Sequence, residues 1–223
     1  MITFNEIKHN EDINTYIRKA DESLIKLGFT EHSFAHVTKV CEDTAYILKT
    51  LGYDEHLINL AKIAGYMHDI GNVVNRVDHS QSGAIMTFRI LDKLGMNAED
   101  LSTVVTAVGN HDEGTGVAVS PLAAALILAD KSDVRRSRVR KSDMSQFDIH
   151  DRVNYSVEKS ELKINQEKTL IKLKLHIDTR ISPVIDYLDI FMKRMKMCKN
   201  AAQTLGLDFK LIVNEQQLMW FYI

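Results

Sequence analysis

Ala64-Gly65-Tyr66-Met67-His68-Asp69-Ile70-Gly71 decides how this chain is read. It closes an apolar stretch with helical spacing that begins near Glu55, and it ends in an imidazole and a carboxylate side by side. A glycine then breaks the helix. Two polar side chains at a buried helix end are costly unless something pairs with them. A divalent cation is one partner that satisfies an imidazole and a carboxylate together.

Upstream, Phe34, Val37, Cys41, Thr44, Leu48 and Leu51 recur at three- and four-residue steps. That stripe predicts a helix from about Thr30 to Leu51, with Thr30 as N-cap and Gly52 as stop. It would carry His32 and His36 on one face, four residues apart. Downstream, helices are predicted over 80–94, stopped by Gly95, and over 98–109, capped by Asn97. Ser120-Pro121 then opens a helix over 122–130 that is almost wholly apolar and so belongs in the core. Most of the first 142 residues reads as helix.

The texture changes near residue 150. Residues 157–164 and 170–177 alternate apolar and polar side chains around Asn165-Gln166-Glu167-Lys168, which predicts a β-hairpin. Ser182-Pro183 opens a long helix to Leu205, ended by Gly206, and 209–213 reads as one more strand. The fold expected is mainly α: a helical metal-binding domain over 1–148 and a small α+β module over 149–223, with the boundary near 145–153. An edge strand in that module would favour dimerisation. The apolar end, Leu218-Met219-Trp220-Phe221-Tyr222-Ile223, should be buried, a dimer interface being one possibility. His150, Asp151, His176 and Asp178 are scattered through the module and form no catalytic set.

Apolar residues make up 45 % of the chain and charged residues 26 %, so a buried core is expected without staples. A net charge of −2 supplies no global basic field for nucleic acid or an anionic membrane. Cys41 and Cys198 form no CxxC pair, which fits buried free thiols in a reducing compartment and argues against tetrahedral structural zinc. The N-terminus has no basic segment followed by an apolar one, and no run of about 18 apolar residues occurs. A cytoplasmic protein is expected.

The histidines and acids of the helical part come in a fixed order: Glu31-His32-Ser33, His68-Asp69-Ile70-Gly71, His79 with Gly83-Ala84 after it, Asn110-His111-Asp112, and Leu128-Ala129-Asp130-Lys131. Over about 30–133 this order resembles the HD superfamily of metal-dependent phosphohydrolases. By spacing it is most similar to the bacterial diadenosine tetraphosphatase-type hydrolases of that superfamily. The cyclic-di-GMP phosphodiesterases are more distant, since they carry a His-His pair where this chain has His111-Asp112.

The resemblance implies a helical bundle in which His32, His68, Asp69 and Asp130 hold one metal, with His79 and His111 placed for a second. Asp69 and Lys131 would be catalytic. Lys131, Arg76, Arg135 and His36 would contact substrate. Mixed His and carboxylate ligands suit iron or manganese first, with cobalt, nickel or zinc also admissible, as one or two ions. The implied partner is a phosphate-containing small molecule, a nucleotide foremost.

One position departs from the pattern. Asn72 stands where many members place a Lys or Arg that reaches phosphate. Charge neutralisation then falls to Arg76, Lys131, Arg135 or Arg136, or the protein is a catalytically weak nucleotide sensor. Between Lys131 and Lys141 six cations face the single acid Asp133. This is either a docking strip for a polyanion or a solvated helix face paired with acids elsewhere. Without interleaved aromatic residues it does not suit single-stranded nucleic acid.

Overall fold

The computed structural model describes residues 2–221, the last three by backbone alone. Among these residues nine α-helices and four strands occur. A short helix, α1 (Phe4–Lys8), and a longer one, α2 (Glu11–Lys26), precede the bundle. The bundle proper is α3 (Phe34–Leu51), α4 (Glu55–Met67), α5 (His79–Lys93), α6 (Ala98–Gly109) and α7 (Pro121–Ser132). As its composition predicts, α7 is central: every residue from Leu122 to Ala129 is at most 1 % exposed. It packs on α3, α4 and α6. Ser120 caps it by accepting from the Ala123 amide.

The start of α3 lies later than the stripe suggests. Thr30 is not its cap. The Glu31 carboxylate accepts from the amides of Ser33 (2.6 Å) and His36 (3.4 Å), and the Glu31 amide donates to the Arg138 carbonyl. Residues 30–33 are therefore pinned outside the helix, and His32 and His36 do not share a helix face.

A short helix, α8 (Ile149–Ser156), forms at the junction, where the only local signal is Asp148 and Asp151, which close a capping box. Strands β1 (Val157–Ile164) and β2 (Leu170–Ile177) form the predicted antiparallel hairpin. Helix α9 (Val184–Thr204) then crosses to β3 (Asp208–Val213), which pairs parallel to β2. A fourth strand, β4 (Gln216–Phe221), extends the sheet beyond the one expected after α9. Asn214 and Glu215 both take positive φ, the turn that joins β3 to β4 with the native strand twist. Sheet order is β1-β2-β3-β4.

Ile171, Leu173, Leu175, Phe209, Leu211 and Val213 form the buried face of the sheet. Helix α9 packs on β3 and on α7, so one continuous core runs from the bundle into the sheet. Leu218 is 37 % exposed, which contradicts burial of the apolar end there; the side chains after it lie outside the described residues. No helix of the described residues is long and apolar enough to cross a membrane.

Candidate metal centre

Helix α4 brings the central pair into place. His68 is its C-cap, with Nδ1 2.8 Å from the Gly65 carbonyl oxygen one turn back. Asp69 leads into a 3-10 turn over 70–73 that packs tightly on the start of α5. The contact is so close that a Cβ at Gly71 would collide with the His79 carbonyl and the Gly83 amide. Two glycines thus allow His79 to stand beside Asp69. Gly65 does the same between α4 and α3, where a Cβ would lie 2.7 Å from the Cys41 Cα.

Around Asp69 the histidines converge. Asp69 Oδ2 lies 3.5 Å from His68 Nε2 and 3.6 Å from His36 Nε2. Asp69 Oδ1 lies 3.4 Å from His79 Nε2 and 3.8 Å from His111 Nε2. Asp130, near the end of α7, places Oδ1 3.3 Å from His36 Nε2 and 3.8 Å from His68 Nε2. His36, His68, His79 and His111 are all buried.

Backbone contacts set the tautomers. His68, His79 and His111 each direct Nδ1 at a carbonyl oxygen, of Gly65, Arg76 and Val108 respectively. A neutral ring that donates from Nδ1 has a bare lone pair on Nε2. The Nε2 atoms of His79 and His111 are 3.1 Å apart, and with both Nδ1 protonated neither has a proton to share. Two lone pairs at that distance call for a positive charge between or beside them.

The protonation pattern agrees. Burial and the surrounding cations and imidazoles hold His32, His68 and His111 below their ordinary range, so they are neutral. Burial works against ionising Asp69, and positive charge on the His68, His32, His79 and His36 side of it is what holds it well below the usual carboxylate range, a charge that a bound cation would supply where the rings are neutral. Asp130 is likewise held down against burial, by Lys131 and His36. His36 runs the other way: despite burial and Arg138, Asp130 and Asp133 raise it. The centre draws positive charge to His36 Nε2.

The residues therefore fit a divalent metal. Three buried atoms, His36 Nε2, His68 Nε2 and Asp69 Oδ2, have no hydrogen-bond partner. Leaving such an atom unpaired costs about 1–3 kcal/mol. One donor each from His36, His68 and Asp130 lie within 4.8 Å of one another, as do donors from His68, Asp69 and His111. The His68 and His111 nitrogens are neutral and the carboxylate oxygens ionised, the states a metal requires. His36 Nε2, where the carboxylates draw a proton, would exchange that proton for the metal.

His32 stands apart from this convergence. Its Nδ1 contacts the Thr30 carbonyl at 2.6 Å, its ring is 5.4 Å from that of His36, and among the described residues it forms no ion pair. It lines a cavity of about 340 Å3 that opens beside Asp69 and Asp130. Arg76, Lys131, Arg138 and Arg194 line the same cavity. Asn72 is buried beneath it. Its amide donates to Asp69 Oδ1 and to the Asp69 carbonyl, both at 2.9 Å, and it accepts from Arg76 at 3.2 Å. Asn72 thus holds Asp69 and Arg76 in place and does not face the cavity as a cation would.

The basic strip does not lie along one helix face; its cations go to separate contacts, several of them with acids, as the second of its two readings expects, while Lys131 and Arg138 line the cavity. Arg135 pairs with Asp133 and does not line the cavity. Arg136 donates to the Tyr155 carbonyl and lies over the Tyr155 ring. Arg138 is buried and donates to the carbonyls of Glu31 and Asp133. Arg140 pairs with Asp21, and Lys141 with Asp151. Arg136, Arg138, Arg140 and Lys141 meet partners that folding brings near, whereas Arg135 pairs with its near neighbour Asp133.

Three residues had escaped the sequence. Asp133 accepts from His36 Nδ1 at 2.7 Å and is 1 % exposed. Its signal was the Asp130-to-Asp133 spacing at the end of α7. Arg138 ties Glu31 to Asp133. Arg194 reaches the cavity from α9, and nothing in its local sequence marks it.

Residues 33–173 match the family model described as HD domain. The match begins at Ser33, so it takes in His36 and leaves out His32. Among curated proteins, the uncharacterized protein MJ1020 of Methanocaldococcus jannaschii is 25 % identical over 191 residues, which cover 75 % of this chain and 73 % of that protein. Among solved structures, a predicted HD superfamily hydrolase from an uncultured Thermotogales bacterium aligns with a TM-score of 0.45 at 25 % identity, over 57 % of this chain and 69 % of that one.

Proposed function

The chain belongs to the HD domain family, and from that membership we propose that it is a metal-dependent phosphohydrolase acting on a phosphate ester or a nucleotide phosphoanhydride. The observation that carries this reading is the convergence of buried, unpaired donor atoms around Asp69 and Asp130, which line a cavity together with four cations.

We assign one ion to His36, His68, Asp69 and Asp130, and a second to His79 and His111 with Asp69 shared between them. The N-terminal ligand thus moves from His32 to His36, because the His36 Nε2 faces both carboxylates while His32 lies at the cavity wall. A bound divalent ion supplies acidified water and offsets charge on a phosphoryl oxygen. The remaining work falls to the chain. Asp69 orients the attacking water through a carboxylate held ionised. Lys131, 2.7 Å from Asp130, offers a cation to the phosphate, and Arg76 offers another from the Asp69 side. Arg76 and Lys131 supply the charge that Asn72 lacks, which favours the hydrolase over the sensor. The likeness to diadenosine tetraphosphatase-type hydrolases supports a nucleotide as the substrate class, and iron or manganese as the metal to try first.

Metal analysis of protein purified without chelator is the direct test. At least one equivalent is expected, with loss in His68→Ala. Turnover of nucleotides and p-nitrophenyl phosphate with manganese, iron, cobalt or nickel should follow. Absence of stoichiometric metal sinks the reading. Metal without turnover on any substrate selects the sensor.

A further inference from the structure

Helix α9 contributes a side chain to the cavity that the metal ligands do not explain. Arg194 lies beyond residues 33–173, outside the stretch that matches the family. Its guanidinium stacks over the Phe191 ring, 4.5 Å from the centroid, and its Nε pairs with Glu113 Oε1. The other Glu113 oxygen is 3.4 Å from Lys131 Nζ. Arg194 and Lys131 both line the cavity, whereas Glu113 does not. One carboxylate thus holds two cations from behind. Lys131 also neutralises Asp130, but Asp130 is assigned to a metal, which leaves one positive charge over at this end of the cavity.

Arg194 spends only Nε on Glu113. Among the described residues no protein acceptor takes its terminal Nη groups. A guanidinium fixed by stacking and one ion pair, with its terminal donors unspent, suits a phosphate edge in the paired geometry that arginine favours. Phe191 from α9 and Asn154 from α8 line the same cavity, as do Asp148 and Asp151, the latter paired with Lys141. At about 340 Å3 the cavity sits at the small end of ligand pockets, which run from roughly 300 to 1,000 Å3.

We propose that Arg194, with Lys131, binds the terminal phosphate dianion of a small phosphomonoester, and that this contact makes the protein prefer monoesters to diesters. The inference rests on the hydrolase reading and names its substrate class. A monoester carries one more negative charge than a diester, and the cation from α9 is placed to reward it. Glu113 is a positioning residue for both cations.

The test compares p-nitrophenyl phosphate with bis(p-nitrophenyl) phosphate, using metal-loaded wild type, Arg194→Ala and Arg194→Lys. Arg194→Ala is expected to lower the monoester-to-diester ratio of kcat/KM by about tenfold or more, mostly through the monoester KM. Arg194→Lys should restore part of the ratio. Calorimetric titration with inorganic phosphate should show the same order of affinities without any turnover. An equal loss on both esters would mean that Arg194 only docks α9, and overturns the proposal while the hydrolase stands. An unchanged ratio overturns it likewise. Wild type that cleaves neither ester and binds no phosphate overturns the proposal, while the metal count and the nucleotide panel decide the hydrolase reading separately.

Discussion

Asp133 Oδ2 lies 2.7 Å from His36 Nδ1, and that contact fixes which edge of a buried imidazole faces the metal centre. Asp133 is itself held: Arg135 donates to Oδ1 at 2.6 Å, and Arg138 bonds the Asp133 carbonyl at 2.7 Å. Burial opposes its ionisation, but the bond from His36 and the charge of Arg138 keep its carboxyl far below the usual range. A carboxylate behind a ligating histidine orients the ring and strengthens the donor nitrogen.

Asp133→Asn keeps the shape and removes the charge. Metal affinity is expected to fall by about 10- to 100-fold, the usual effect of losing such a support. Competition against a fluorescent chelator measures it. An unchanged affinity would show that His36 needs no help to face the centre.

His36→Ala and His32→Ala separate the two candidates for the N-terminal ligand. His36→Ala should lose at least one equivalent of metal, and activity should fall on the order of 100-fold. His32→Ala should keep its metal and change mainly KM, since His32 lines the cavity. Mass-spectrometric metal counts on the two purified variants decide the matter, and the reverse pattern restores His32 as ligand.

Gly71→Ala tests the close approach that sets His79 beside Asp69. The new methyl meets backbone of the first turns of α5, which cannot swing away as a side chain would. A loss of about 3 kcal/mol is expected, or roughly 6–12 °C in Tm for a chain of this length. Thermal melting followed by circular dichroism reads it. A Tm within two degrees of wild type would refute the packing argument.

Cys41 and Cys198 are 2 % and 0 % exposed, and burial pushes both thiols up to about 12. A folded-state pKa raised above the unfolded value gives stability that is complete below about pH 9 and lost as pH climbs towards 12. The expected slope is about 1.4 kcal/mol per thiol for each pH unit in that window. Urea melts at pH 8, 9.5 and 10.5 should show it, with a shallower decline in Cys198→Ala. Native protein at pH 8 should also yield no fast-reacting thiol to Ellman's reagent, and two after unfolding.

The sequence by itself determined the elements whose information is local. The apolar run of α7 declared a central helix. The Met67-His68-Asp69-Ile70-Gly71 break marked a polar helix end, and the period-two runs gave the β1–β2 hairpin with its paired residues. Periodicity and capping act over a few residues, so they are legible along the chain. β4 escaped because its turn, Asn214-Glu215, lacks the glycine that usually announces such a hairpin. Tertiary structure alone decided which histidine faces the carboxylates. Spacing could not choose between His32 and His36. The choice was made where Glu31 bonds Arg138, 107 residues away, and holds His32 out of the helix. The same holds for the cations. The strip from Lys131 to Lys141 looked like one surface, yet folding sent Arg136, Arg140 and Lys141 to Tyr155, Asp21 and Asp151, while Arg194 came to the cavity from α9. Side chains from distant elements meet only through packing, and one-dimensional spacing does not encode packing.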